Sequence, residues 1–323
     1  MGGKAMKLIG IETERKNTIE HLRIQSELTP IIGEMFNTPV KGIQFYREKE
    51  THGDLDLLIQ NYGQLDKIHE KLSERFGKIF CNGAVYSFAY DNYQVDIIPQ
   101  SPKFWDSCNS FWNWDPLGNL VGKVSHKLNL KFGFQGLEYP CRTFNGRYAD
   151  DITISTDARK IYEFLGFDYD RYLLEFNTLQ EIFDYVISSK YFDSDIFLMQ
   201  NLNAIDRKRN AKRKTYQEFL KYINDNKIVK HYIFLPREEY LNIVNKHFPE
   251  ADLLNKVNAF KERDAINRAV NIKFNGDLIM QWTDKKILGK ELGEAIVNFQ
   301  REITNVYGMP FKDWAINADE KNH

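Results

Sequence analysis

Apolar residues recur along this chain with two different periods, and the change of period divides it. From Asn17 to Phe36, the residues Ile19, Leu22, Ile24, Leu28, Ile31, Ile32 and Met35 are mostly helically spaced. Thr38-Pro39 ends that pattern, and Val40 to Tyr46 then reads as a strand. A second strand is predicted over Leu55 to Gln60. A helix follows, with Leu65, Ile68, Leu72 and Phe76 on one face and Gly77 as its stop. Val85 to Tyr90 and Tyr93 to Ile98 are β-rich runs separated only by Asp91-Asn92, two residues that tolerate positive φ, so a hairpin is expected. After Pro99 the chain turns aromatic and loop-like through Phe104, Trp105, Phe111, Trp112 and Trp114. A helical stretch from Leu120 to Leu128 follows, with short strands near Leu130 to Phe134 and Asp151 to Ile154. Ser155 or Thr156 then caps a short helix that stops at Gly166. Beyond about Tyr169 the pattern is almost wholly helical. The prediction is an α+β chain: residues 1–168 form a mixed β-sheet backed by helices, and residues 169–323 an all-helical domain.

Composition adds little to that division. The 323 residues are 42% hydrophobic and 28% charged with a net charge of −1, an ordinary globular balance that leaves partners to local clusters. Cys81, Cys108 and Cys141 form no CxxC pair, which argues against a structural zinc site and predicts a reducing, cytoplasmic setting. Met1-Gly2-Gly3-Lys4-Ala5-Met6 has no apolar run of signal-peptide length, and no later stretch approaches a membrane span.

The candidate chemistry lies in Thr51-His52-Gly53-Asp54-Leu55-Asp56-Leu57-Leu58-Ile59. Alternate strand positions share a face, so Asp54 and Asp56 project together from a strand whose other neighbours are apolar. Two like charges so placed repel unless a cation lies between them. Asp96, between Val95 and Ile97 on the second hairpin strand, is the candidate third carboxylate. Mg²⁺ prefers such oxygens and keeps waters that substrate phosphates can replace. Two ions roughly 3.5–4 Å apart would clamp the attacking and leaving oxygens of a phosphoryl transfer.

Phe45-Tyr46-Arg47-Glu48-Lys49-Glu50-Thr51-His52-Gly53-Asp54-Leu55-Asp56 resembles the active-site strand of the polymerase-β nucleotidyltransferase superfamily, most nearly that of the family X DNA polymerases. Tyr93-Gln94-Val95-Asp96-Ile97-Ile98 looks like that family's third-aspartate strand. Leu130-Lys131-Phe132 with Gly136-Leu137 resembles its late palm strand, and Ser155 to Gly166 its late short helix. The likeness covers about residues 40–170. It implies that Asp54, Asp56 and Asp96 are catalytic metal ligands for two Mg²⁺ or Mn²⁺ ions. It also implies that Arg47 and Gly53 contact the nucleotide. The family's Gly-Ser pair falls on Ile43-Gln44, which puts Gln44 at the nucleotide-binding position, and its sugar-binding segment has no counterpart in Trp112 to Asn119. Asn275 to Ile279 and Leu288 to Ile296 look faintly like the C-terminal helices of tRNA CCA-adding enzymes.

Arg207, Lys208, Arg209, Lys212, Arg213 and Lys214 place six cations in eight residues. On a helix they would neutralise several phosphates. Gly289 and Gly293, four apart, are read as a close helix-packing site. The expected function is transfer of a nucleoside monophosphate from a nucleoside triphosphate to the 3′ hydroxyl of a tRNA, another RNA or a DNA primer. The alternatives are transfer to a protein or small-molecule acceptor, and a catalytically silent nucleotide- or nucleic-acid-binding module.

Overall fold

Asn17 opens the first long helix through a capping box. Its side chain accepts from the Glu20 amide at 2.9 Å, and the Glu20 carboxylate accepts from the Asn17 amide at 3.4 Å. The computed structural model describes residues 3–61, 63, 65–282 and 287–317. Met1 and Gly2, and the side chains of Leu65 and Ile279, lie outside the described residues. β1 (Lys16–Asn17) leads into α1 (Thr18–Phe36), and β2 (Val40–Gly42), β3 (Thr51–His52) and β4 (Asp54–Gln60) follow. Next come α2 (Leu65–Phe76), β5 (Phe80–Asn82), β6 (Val85–Tyr90) and β7 (Tyr93–Gln100).

Five of these strands form a mixed sheet in the order β2-β4-β7-β6-β5, with β4 and β7 parallel and the other neighbours antiparallel. β1 and β3 pair apart from it, with Lys16 opposite His52. Asp91 and Asn92 take φ of 52° and 54° and make the expected tight turn between β6 and β7. On one face of the sheet Leu55, Leu57, Val95 and Ile97 are buried against Ile24, Leu28 and Ile32 of α1 and Ile68 and Leu72 of α2. The chain is an α+β protein.

α3 (Trp105–Trp112) and α4 (Leu117–Lys127) follow, then a three-stranded sheet in the order β10-β9-β8, from β8 (Lys131–Gly133), β9 (Gly136–Arg142) and β10 (Tyr148–Ser155). The helices that succeed it are α5 (Ala158–Phe164), α6 (Tyr169–Leu173), α7 (Leu179–Ser188), α8 (Ala204–Asn210), α9 (Lys214–Asp225) and α10 (Arg237–His247). The aromatic stretch expected to be a loop is thus largely helical. Its helix is fixed by tertiary bonds rather than propensity: the Asp106 carboxylate accepts from the Ala158 amide at 2.8 Å, and the Ser110 carbonyl from the Tyr162 hydroxyl at 3.1 Å. The strand expected over Val40 to Tyr46 stops at Gly42, where the backbone turns to pair with the loop after α3. The cap of α5 is Asp157, which accepts from Lys160 N at 3.0 Å, rather than Ser155 or Thr156.

Two compact units result, Met1–Tyr139 with Thr153–Ala251, and Pro140–Ile152 with Asp252–His323. The boundary expected near residue 169 falls inside the first unit. There Tyr162, Tyr172, Phe176 and Tyr185 form one aromatic cluster across it, with centroids 5.0 Å apart for Tyr162–Tyr172 and 5.4 Å for Phe176–Tyr185. The second unit contains α11 (Leu253–Lys273), α12 (Gly276–Trp282), α13 (Gly289–Tyr307) and α14 (Phe311–Asn317). Its core gathers Val270, Phe274, Ile287, Phe311 and Ala315. Open space surrounds Gly289 and Gly293, so these glycines do not mark a close helix contact; Gly289, at φ 58°, begins α13. No helix among the described residues is long and apolar enough to cross a membrane.

Leu57 is fully buried at the centre of the sheet. Leu57→Ala should lower unfolding free energy by about 2–5 kcal/mol, read as a shifted denaturant midpoint at constant m-value. A loss under about 1 kcal/mol would contradict this core assignment.

Candidate active site

The parallel register of β4 and β7 sets Asp56 directly beside Asp96. Leu55, Leu57, Val95 and Ile97 point into the core, so alternation turns Asp54, Asp56 and Asp96 to the opposite face. One carboxylate oxygen from each lies within 4.8 Å of the others. Farther along the same face, Leu58 and Ile98 join Cys108 in a small apolar cluster that Ile43, Val85 and Trp105 cover. The acids therefore sit at the N-terminal ends of two strands, over an apolar floor.

Burial and mutual repulsion both oppose their ionisation. Asp56 is held well above the usual carboxylate range by burial first and then by Asp54 and Asp96. Burial also raises Asp54, against the Gly3 amide that donates to its Oδ2 at 2.9 Å. Asp96 is pushed up to about 6 by burial, against hydrogen bonds from Ser87 and Gln94. Three converging hard oxygen donors, each costly to ionise alone, fit a small divalent cation such as Mg²⁺ or Mn²⁺.

A surrounding layer of bonds orients the acids. The Gln94 amide donates to both Asp96 oxygens at 3.0 and 3.1 Å, and its own oxygen accepts from the Ala5 and Met6 amides at 2.8 and 3.3 Å. The Tyr93 hydroxyl donates to the Asp54 carbonyl at 2.6 Å. With that proton spent, His21 Nδ1, 2.8 Å from the same hydroxyl, must carry a hydrogen and donate. Thr18 Oγ1 donates to the Lys49 carbonyl, so His52 Nε2 in turn donates to Thr18 Oγ1 at 3.2 Å. The two neutral imidazoles stack at 3.9 Å, and burial lowers His21 to about 4 and His52 to about 3.

The other predicted residues are distributed differently. Arg47 is exposed, and its guanidinium donates to Glu175 at 3.0 Å and Asn177 at 3.2 Å, engaging the segment after α6. Gln44 is tied into the loop after α3: Asn113 Nδ2 donates to its side-chain oxygen at 2.8 Å and its amide group donates to Glu175 at 3.2 Å. Gly53 forms the bend between β3 and β4. Gly3, at φ 77°, lies so close that a Cβ there would meet the Gly53 oxygen at 2.1 Å.

The basic run does not form one helix. Arg207, Lys208 and Arg209 end α8, Lys212 and Arg213 lie in a turn, and Lys214 starts α9. Arg207 donates to the Leu202 carbonyl at 2.9 Å, while Lys208, Arg209, Lys212 and Lys214 are exposed and Arg213 is half-buried. Asn210, fully buried within the run, is the last residue of α8, and the break falls at residues 211–213.

Two site residues escaped the sequence reading. Gln94 had a legible signal, two positions before Asp96 on the same strand face. Lys49 stands inside the recognised motif, yet only the fold shows that burial depresses its ammonium beside Asp115, Asp54 and Asp56. A second group, Asp193, Asp195 and His231, also brings ligand atoms within 4.8 Å of one another. There both Asp193 oxygens accept backbone amides, from Asp195 at 2.8 Å and Tyr232 at 3.2 Å, which accounts for its geometry as a capped turn. No protein-family model matches the chain, and no curated protein matches it.

Carboxyl pKa values raised in the folded state carry a stability cost at neutral pH. Asp96 holds its proton up to about 6 when folded and to 3.8 when unfolded, so metal-free stability falls as pH climbs through that window. Asp96→Asn should therefore melt above wild type in EDTA at neutral pH, with the two converging as pH drops below about 3.8. An equal gap at every pH would contradict the assignment.

Proposed function

We propose that the chain is a metal-dependent nucleotidyltransferase that joins a nucleoside monophosphate, taken from a nucleoside triphosphate, to the 3′ hydroxyl of a nucleic acid. The observation that carries this reading is the convergence of Asp54, Asp56 and Asp96 from two parallel strands in register. Asp54, Asp56 and Asp96 would together hold two Mg²⁺ or Mn²⁺ ions. Bound there, the ions supply charge neutralisation for the attacking oxygen and for the leaving pyrophosphate. Asp96 accepts the proton of the acceptor hydroxyl as that oxygen bonds to the α-phosphorus and the bridge to the β-phosphate breaks. Gln94 keeps both Asp96 oxygens aimed during the transfer. The likeness of Phe45 to Asp56 and of Tyr93 to Ile98 to the polymerase-β superfamily supports the same chemistry.

The six cations of Arg207 to Lys214 support a nucleic-acid acceptor, whose binding would weaken steeply with salt. The free cysteines Cys81, Cys108 and Cys141 accord with a cytoplasmic setting. Asp56→Asn should cut incorporation of labelled nucleotide into tRNA or DNA ends by on the order of a thousandfold or more. Unchanged incorporation in Mg²⁺ would refute the reading. Turnover confined to a protein or small-molecule acceptor would keep the chemistry and replace the acceptor.

A further inference from the structure

Asp54, Asp56 and Asp96 converge at the proposed transfer site, and the field of a fourth carboxylate, Asp115 in the loop after α3, reaches Asp56. A polyphosphate approaching them meets repulsion that bound cations only partly offset. The loop that carries Asp115 is held against the segment before β4, because the Gln44 carbonyl accepts from Trp114 N at 2.8 Å and Asn113 Oδ1 accepts from Gln44 N at 2.9 Å. Directly after Asp115, α4 is pinned to α8 by an ion pair between Lys123 and Asp206 at 2.5 Å and by Asn119 donating to the buried Asn210 at 3.4 Å. That bracing ties the end of α8, three residues before Arg213, to the first turn of α4, four residues after Asp115. The field of Asp115 acts on Lys49, Asp56 and Arg213 alike.

Lys49 and Arg213 are the unusual members of this neighbourhood. Both are partly buried, yet among the described residues neither side chain makes an ion pair or a hydrogen bond; Lys49 has only a cation–π contact, 5.8 Å from the Phe45 ring. A half-buried cation with no protein partner keeps its donors free for an arriving anion. Arg213 also stands at the start of α9, whose first amides have no side-chain cap. Arg47, by contrast, has its donors committed to Glu175 and Asn177.

Resting on the nucleotidyl-transfer reading, we infer that Lys49 and Arg213 grip the β- and γ-phosphates of the nucleoside triphosphate, in place of the Gly-Ser pair that this chain lacks. Arg213 thereby leaves the acceptor-binding surface and becomes part of the nucleotide site. The remaining cations of the run keep the nucleic-acid role.

Inorganic tripolyphosphate is the probe, titrated calorimetrically into the full 323-residue chain at fixed Mg²⁺. Lys49→Met and Arg213→Gln should each weaken binding by roughly tenfold to a hundredfold. Arg213→Lys should fall between Arg213→Gln and wild type. Mn²⁺ uptake, followed by electron paramagnetic resonance without phosphate, should be retained in all three, which also shows that the acidic site has folded. Wild-type tripolyphosphate affinity in Arg213→Gln, or no binding by the wild type, would overturn the inference. If the variants lose tripolyphosphate while Asp56→Asn leaves nucleotide incorporation unaltered, the grip stands and the transferase reading fails.

Discussion

Three carboxylates within 4.8 Å of one another, none with an ionic partner of its own, set the terms for the rest of the first unit. What holds them together is the pairing of β4 with β7, a ladder anchored from behind by Leu55, Leu57, Val95 and Ile97. The ladder has two faces with different tasks: Leu55, Leu57, Val95 and Ile97 bury apolar surface against α1 and α2, and Asp54, Asp56 and Asp96 turn their carboxylates to the opposite face. Slipping the register by one residue would exchange those roles and bury the acids in the core. The stability of the sheet and the placement of the acids are therefore one property.

Around that ladder the structure works to keep the acids oriented without neutralising them. Gly3, Gln94 and Ser87 supply neutral donors, and Tyr93 with His21 steadies the backbone of Asp54. No lysine or arginine closes on any of the three within ion-pair range among the described residues. A protein built only for stability gains by pairing or replacing such groups. Leaving them close, converging and unpaired is the arrangement a cation site requires.

Legibility from sequence followed the range of the interactions involved. The β6–β7 turn could be read because Asp91 and Asn92 determine it locally, and α1 because its apolar residues from Ile19 to Met35 recur at mostly helical spacing. The acidic triad could be read because strand periodicity acts over two residues and Asp96 lies one strand away. Sequence patterns failed where distant partners decide. α3 takes its form from Ala158 and Tyr162, fifty-two residues on. Arg47 is claimed by Glu175, far beyond any local pattern. The boundary drawn at residue 169 ignored an aromatic cluster that only the folded chain assembles. β9, interrupted by Pro140 and begun by Gly136 at φ 97°, offered no strand period to see.

The Gly3 amide bonds the same carboxylate that a cation would share. Two ligands of one group are thermodynamically linked, and the linkage acts equally in both directions. Filling the acidic cluster must therefore alter how firmly Gly3 lies along Gly53, and disturbing Gly3 must alter how the cluster fills. A peripheral stretch of backbone thus becomes a built-in reporter on the occupancy of the centre.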